Sequence, residues 1–523
     1  MTWDAIIVGT GVGGSTLGLA LAQAGKRVLF VEKGLDLWAD DAQAIRGGTA
    51  EAQAGYRDLD ELARGNLLAR SGRAQERLFN ASGGGSVLPE IGCGTGGSSA
   101  LFGMVLERFF PADFTPRAYH PDPGESSLPE TWPLGYEDFR PWYEKAERLY
   151  RVRGAADPLQ PDNRPALLPP ASLGPGASAL FNEVAATRLH PYRLHIACET
   201  LPDCRSCQGY LCPQACKNDA DRMALRPAIR EHGASLLSEC RAVALTADRT
   251  RITGVVCDHR DGRITLRGRV VVLAAGALHT PALLLSSRSP ERQSGLANRS
   301  GLVGANLMRH GIDLWALLAA SQITDARDFK SIGVNDLYLG TGGGKLGTVQ
   351  SFGAWPPLES ILNQRSSWWR LLGPIAPMLW RRLSVIPILA SILEDLPYSA
   401  NRVEVDESDG ERRVSVHYAA GPSEIRRGKA LRSELRSRLK SLGPFLVSGV
   451  DAPKALGHAC GTCRFGDDPR SSVLDRNNKA HGLDNLFVVD ASFFPSSAGM
   501  NPALTVAANA LRVGALLASD LRA

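Results

Sequence analysis

A chain of 523 residues, of which 44% are hydrophobic and 22% charged, can bury a large core, and its length suggests roughly two to four domains. Its 59 basic and 54 acidic side chains are interspersed and leave a net charge of +5, so no basic run offers nucleic acid a footprint. No uncharged apolar run approaches the roughly 20 residues needed to cross a bilayer, and the Met-Thr-Trp-Asp start lacks a signal-peptide pattern; the expectation is a cytoplasmic protein, at most associated with a membrane surface.

Residues 5–8, AIIV, suit a buried parallel strand and run directly into GTGVGGS and the helical LGLALAQAG. Gly9, Gly11 and Gly14, with Val12 between them, hold the G-x-G-x-x-G spacing. That spacing permits a tight turn, close approach of the backbone to a pyrophosphate, and close packing of helix on strand. The next strand, RVLFVEKG, ends on Glu32, placed to accept a hydrogen bond from a ribose 2′-hydroxyl. Strand, turn, helix and terminal acid together predict a dinucleotide site, without deciding between FAD and NAD.

GCGTGGSSALFGMV, at residues 92–105, resembles the glycine-rich signature of the glucose-methanol-choline (GMC) family of FAD oxidoreductases, with Gly96, Gly97, Ser98 and Ser99 in place. The resemblance implies that this segment lies against the flavin and pyrophosphate. Cys93 and Phe102 depart from it, standing where a basic or amide residue and an Asn or His are usual. The stretch that follows, CETLPDCRSCQGYLCPQACKNDADR, crowds five of the ten cysteines, Cys198, Cys204, Cys207, Cys212 and Cys216, into one segment. Thiols so spaced suit an iron-sulfur cluster, a zinc ion or disulfides. Structural thiols or disulfides come first in this reading. Cys207, Cys212 and Cys216 are the iron-sulfur candidates, because some bacterial members of the family carry a three-iron cluster on a similar segment.

VVVLAAGALHTPALLLSS, at residues 270–287, reads as a buried strand ending in small residues, then a helix starting at TPALLL with proline in its first turn. It resembles the family's second signature, with Ala275, Gly276, Thr280 and Pro281 in place and Arg288 replacing the closing glycine. SGLVGANLMRH, at residues 300–310, is similar to the family's VGxNLxxH connection. Residues 355–396 are rich in Trp, Leu, Ile and Pro, with Arg370, Arg381 and Arg382 between the apolar blocks. The first reading is buried helices of a substrate domain; the sharper one is an apolar lid or membrane-surface entrance for a lipophilic alcohol.

The C-terminal segment, HACGTCRFG from His458 and then LFVVDASFFPSSAGMNPALTVAANAL, carries the most specific resemblance. It implies that His458 and Asn501 face the flavin together, with Asp490 at its ribityl or pyrophosphate region and Ala491 and Pro502 among the cofactor-binding residues. Cys460 and Cys463 add a C-x-x-C beside His458; Cys463 stands at the family's usual GTC cysteine, and Cys460, which is unusual there, is a candidate redox-active thiol.

The implied fold is α/β: a Rossmann-like FAD-binding domain (residues 1–110, 198–312 and 452–523) interleaved with an α+β substrate domain on an antiparallel sheet (residues 111–197 and 313–451). The implied activity is oxidation of an alcohol to a carbonyl. That reaction needs a hydride acceptor, which the flavin supplies, and a base within reach of the hydroxyl. Imidazole suits the second task, so His458 is the candidate base and Asn501 the donor that orients the hydroxyl. The alternative is the flavoprotein subunit of a respiratory dehydrogenase that passes electrons through a cysteine-bound cluster to a cytochrome or quinone.

Overall fold

The computed structural model describes residues 2–521 apart from 40–43, 50–58, 88, 90, 161–164, 341–343, 356–357, 363–367, 408–411 and 450–455. The start of the expected third FAD-binding segment, 452–455, and parts of the 355–396 segment therefore lie outside the described residues.

The apolar run at residues 5–8 is the third strand of a five-stranded parallel sheet. Its parts are β1 (Trp3–Val8), α1 (Val12–Gln23), β2 (Val28–Val31), β3 (Ser235–Leu237), β4 (Gly268–Leu273), α2 (Gly276–Ser286), β5 (Leu486–Val488) and α3 (Ala503–Asp520), with strand order β5-β4-β1-β2-β3. Ile6 sits opposite Leu29 on one side and Val271 on the other. A parallel sheet covered on both faces must be apolar on both, and here alternate residues feed two cores. Ile6, Leu29 and Val271 enter the larger one, while Ile7, Phe30 and Val272 pack with Leu17 and Leu21 of α1 and Val513 of α3. Small residues bring α1 this close: a Cβ on Gly18 would lie 2.1 Å from the ring of Phe30.

Helix α2 starts earlier than the sequence predicts, at Gly276, so Pro281 falls inside it rather than in its first turn. Proline has no N–H to offer the carbonyl four residues back, which is that of Ala277. The Thr462 hydroxyl, 2.8 Å away, donates to it instead. A side chain brought from the far end of the chain thus makes the internal proline tolerable.

The second large element is a six-stranded antiparallel sheet in the order Pro444–Gly449, Gly311–Leu317, Ile388–Leu393, Gly347–Ser351, Ile332–Val334, Tyr192–Arg193. Leu389, Val349, Leu431 and Leu435 form part of the core behind it. Strand Leu78–Asn80 pairs in parallel with Arg413–His417, tying an early segment to a late one. Within residues 355–396, Ile388–Leu393 is a fully buried strand, whereas Ala376–Leu383 is a surface helix. Beside that helix Trp355 and Trp369 meet Trp380 edge to face, and Leu371, Ile375 and Met378 are exposed. Among the described residues no helix is long and apolar enough to cross a membrane.

Candidate active site

At the end of β1 the chain turns through Gly9, whose φ is +103° and whose added Cβ would lie 2.4 Å from the Ala274 carbonyl oxygen. Gly14 is equally enclosed, 2.1 Å from the Gly9 carbonyl oxygen by the same measure. Gly11 is different: a Cβ there meets nothing within 4 Å, and its φ of −68° suits any residue. Neither sterics nor backbone geometry of the protein asks for glycine at 11, and the space beside it is open. Helix α1 starts at this point with no side-chain cap and no acid in its first turn, which leaves amide donors and the positive end of the dipole for an anion. Gly97, φ +53°, packs onto the same turn, its Cβ direction 3.1 Å from Gly11 Cα. Both glycine-rich segments therefore line one cradle, and its open floor and free amides fit the pyrophosphate of FAD.

The acids expected at this cofactor are already engaged by protein donors. Glu32 accepts from Thr10 N (3.2 Å), Thr10 Oγ1 (2.7 Å), Gly34 N (3.0 Å) and Gly94 N (3.2 Å). Asp490 accepts from Gly276 N (3.0 Å), Thr280 Oγ1 (2.5 Å), Ser492 N (2.9 Å) and the Ser492 hydroxyl. Burial still holds its carboxyl above the usual range. Ser99 is likewise used within the loop, donating to Gly96 O (2.6 Å) and accepting from Ala220 N (2.9 Å), and Ser98 Oγ accepts from Gly92 N (3.0 Å). These side chains set the shape of the cradle. Ala275 and Ala491 stand at the starts of α2 and of the short turn after Asp490, and Pro502 is the N-cap of α3, which again has no side-chain cap.

His458 is half-buried, in a turn that holds its φ at +62°. A non-glycine residue in that region costs energy that the surrounding structure must hold in place. Its Nδ1 lies 2.9 Å from Nδ1 of His310, with the rings edge to face at 4.9 Å between centroids, and His310 Nε2 lies 3.2 Å from the Ser497 carbonyl oxygen. Burial pushes His310 down to about 4; burial and then the charge of His310 push His458 down to about 3. Both rings are therefore neutral near pH 7. A carbonyl can only accept, so His310 carries its proton on Nε2 and its Nδ1 is bare. His458 must then donate from Nδ1, which leaves His458 Nε2 without a proton. The turn that supplies Ser497 is itself fixed: the Ser497 hydroxyl donates to Asp395 O (2.8 Å) and accepts from Asp395 N (3.1 Å).

Asn501, also half-buried, accepts at Oδ1 from Gln350 Nε2 at 3.0 Å, which turns its own NH2 group away from Gln350. Gln350 comes from the antiparallel sheet, and nothing in the sequence marked it. His279, the other imidazole near a signature segment, is engaged elsewhere, 3.2 Å from Lys33 Nζ and 3.9 Å from Glu76.

The five cysteines of the 198–216 segment do meet, in one buried cluster with Met104. Cys216 hydrogen-bonds to both Cys204 and Cys212 and so links the Cys198–Cys204 and Cys207–Cys212 contacts into one chain of sulfurs. Cys198 and Cys204 are 3.8 Å apart at sulfur, and a hydrogen bond from Cys207 holds the Cys212 thiol down to about 4. All are free thiols, and among the described residues no group of three or more Cys, His, Asp or Glu is disposed to hold a metal. Cys207, Cys212 and Cys216 are accordingly not grouped as metal ligands among the described residues. Cys460 and Cys463 are free and buried, and burial pushes both thiols well above their ordinary range. Thiols held protonated are poor nucleophiles.

A parallel sheet with a phosphate-sized cradle of two glycine-rich turns at the end of β1 is the arrangement of a dinucleotide-binding protein. The chain belongs to the GMC oxidoreductase family, whose profiles match residues 4–312 and 397–510. It is an FAD-dependent enzyme acting on the CH–OH group of alcohols. It is 29% identical over 548 residues to paromamine 6'-oxidase of Streptomyces fradiae, covering 99% of this chain and 92% of that one. To 6'''-hydroxyparomomycin C oxidase of Streptomyces lividus it is 28% identical over 551 residues, covering 100% and 92%. The crystal structure of pyridoxine 4-oxidase from Mesorbium loti shares the fold, with a TM-score of 0.64 at 20% identity over 98% of this chain and 99% of that one.

Proposed function

We propose that His458 takes the hydroxyl proton of the alcohol at Nε2 while Asn501 donates from Nδ2 to the same oxygen. The observation that carries this reading is the hydrogen-bond chain from the Ser497 carbonyl through His310 to His458, which fixes a bare Nε2 on the outer ring. A hydroxyl about to lose its proton needs an acceptor for the hydrogen and a donor for the oxygen, and the two side chains supply one each. His310 is a positioning residue: it sets the tautomer and the tilt of His458. Bound FAD supplies the hydride acceptor. Gly9, Gly11, Val12 and Gly14 cradle its pyrophosphate with Gly96, Gly97, Ser98 and Ser99; Glu32 serves the adenosine ribose, and Ala275, Gly276, Asp490, Ala491, Asn501 and Pro502 line the flavin side. In this reading residues 1–110, 198–312 and 452–523 form the FAD domain, and 111–197 with 313–451 the substrate domain.

The proposed substrate is a partly apolar alcohol that enters beside the helix Ala376–Leu383 and the kinked turn before it, where Leu371, Ile375 and Met378 are exposed. Their exposure of 90%, 51% and 59%, with Arg381 and Arg382 at the helix end, is the pattern of a helix resting on an anionic membrane surface. Flotation with vesicles containing anionic lipid should carry the protein upward, and Leu371→Ser with Ile375→Ser should abolish this; flotation unchanged by those substitutions would refute the contact.

The base assignment is tested by anaerobic stopped-flow bleaching of the flavin. His458→Ala should keep its FAD and melting temperature and bleach about 10² to 10⁴ times more slowly. A rate within a few-fold of wild type would move the base to another residue.

A further inference from the structure

Among the described residues three lysines are buried, and two of them have several polar partners. Lys345 is paired with Asp113 and Glu394, and Lys217 donates to two carbonyls, Ala100 O at 3.0 Å and Tyr210 O at 2.9 Å. Lys330, only 6% exposed, does not: its single hydrogen bond among the described residues is to the neutral amide oxygen of Gln208, at 2.8 Å, and no carboxylate pairs with it there. An ammonium has three protons to donate, and leaving a buried charge with one neutral partner is costly.

Its position ties it to the catalytic pair. Ile332–Val334 pairs with Gly347–Ser351, Gly333 opposite Gln350, and continuing that register sets Lys330 beside the residues just past Ser351. Its Nζ lies 5.4 Å from the ring centroid of Phe352. Gln350, which holds Asn501, and Phe352, which flanks Lys330, are two residues apart, on the same face and about 7 Å from one another in an extended chain. Glycines make the room: a Cβ on Gly103, in the segment that follows Ser99, would lie 2.3 Å from Lys330 Nζ, and one on Gly353 would lie 2.6 Å from Gln208 Oε1. The charge of Lys330 also reaches His458, and burial pushes the lysine itself down to about 7, so that an anion brought beside it would favour its ammonium form.

We propose that Lys330, held by Gln208, is the specificity-determining residue of the substrate site and receives a carboxylate carried by the alcohol several bonds from its carbinol carbon. This rests on the reading that His458 and Asn501 hold the hydroxyl. The Lys330 ammonium, held by the neutral Gln208 amide, matches a single negative charge. The same lysine repels a substrate ammonium, so alcohols bearing an amine at that distance are poor ligands.

The test is equilibrium binding to the FAD-loaded enzyme, read from the perturbation of the flavin absorbance by three ligands of one shape that cannot be oxidised at a hydroxyl: 4-methylbenzoate, 4-methylbenzamide and 4-methylbenzylamine. The acid should bind about tenfold or more tighter than the amide, and the amine weakest. Lys330→Met should erase the preference for the acid while keeping flavin content, melting temperature and the affinity for the amide; Lys330→Arg should retain part of it. An acid that binds wild type no tighter than the amide, or a preference that survives in Lys330→Met, overturns the proposal. Because no turnover is involved, a failure here is distinct from a failure of the base assignment, which only the bleaching rate of His458→Ala reports.

Discussion

The two sides of the site treat their polar groups in opposite ways. On the cofactor side Glu32 and Asp490 each accept four hydrogen bonds from the protein, Ser99 spends both of its roles within the loop, and what stays open is space and backbone amide. On the proposed substrate side the groups left over among the described residues are side chains: Nε2 of His458, the NH2 of Asn501, most of the Lys330 ammonium, and Gln350 Oε1, which is buried without a partner among them. A cradle whose acids are satisfied internally is a rigid mould for a large cofactor. A set of unsatisfied, well-held side chains is what chemistry and recognition require, and the strain of His458 in the left-handed region is part of holding them.

Breaking the cofactor side should produce the largest effect. Gly11→Val places a side chain in the one direction of the cradle where the protein itself offers no obstacle. The apoprotein should therefore melt as wild type does, yet purify colourless and gain no thermal stabilisation from added FAD. A yellow Gly11→Val protein with full flavin content would show that the pyrophosphate lies elsewhere.

On the substrate side, His310→Leu removes the acceptor that fixes the His458 tautomer without touching the reacting atoms. Anaerobic flavin reduction should slow by about 10²-fold with FAD retained, the scale on which a displaced catalytic group usually acts. A His310→Leu enzyme of undiminished rate would mean that the ring pair is packing alone. The smallest kinetic effect should come from Thr462→Val, which leaves the Ala277 carbonyl without its donor inside α2. The expected loss is about 1 to 3 kcal/mol of stability by denaturant titration, with reduction rates within about twofold of wild type. A large rate loss at unchanged stability would give Thr462 a role in the chemistry.

Legibility in the sequence followed the same divide. Gly9, Gly11, Gly14 and Glu32 belong to one strand-turn-helix-strand unit, so spacing alone exposes them. His458 and Asn501 were reached only through resemblance, since no local pattern separates them from any other histidine or asparagine. The groups that fix them were out of reach: Gln350 meets Asn501 across 151 residues, His310 meets His458 across 148, and Gln208 meets Lys330 across 122. Such pairs are written by sheet register and loop packing, which periodicity does not encode. Pro281 shows the same thing in the fold, because its place within α2 depends on Thr462. The crowded cysteines were visible as a cluster, but their pairing was not, because spacing does not say which sulfurs meet.

The sharpest single measurement is ¹⁵N NMR of the holoenzyme labelled at histidine, with the His458 resonances assigned by their loss in His458→Ala. With both imidazoles held below their ordinary range, at about 3 for His458 and about 4 for His310, the active form exists above those values and is lost only as pH falls through them. The account predicts a neutral His458 at pH 6 and above, protonated at Nδ1 and bare at Nε2. A His458 that is an imidazolium at pH 6, or that carries its proton on Nε2, would contradict it.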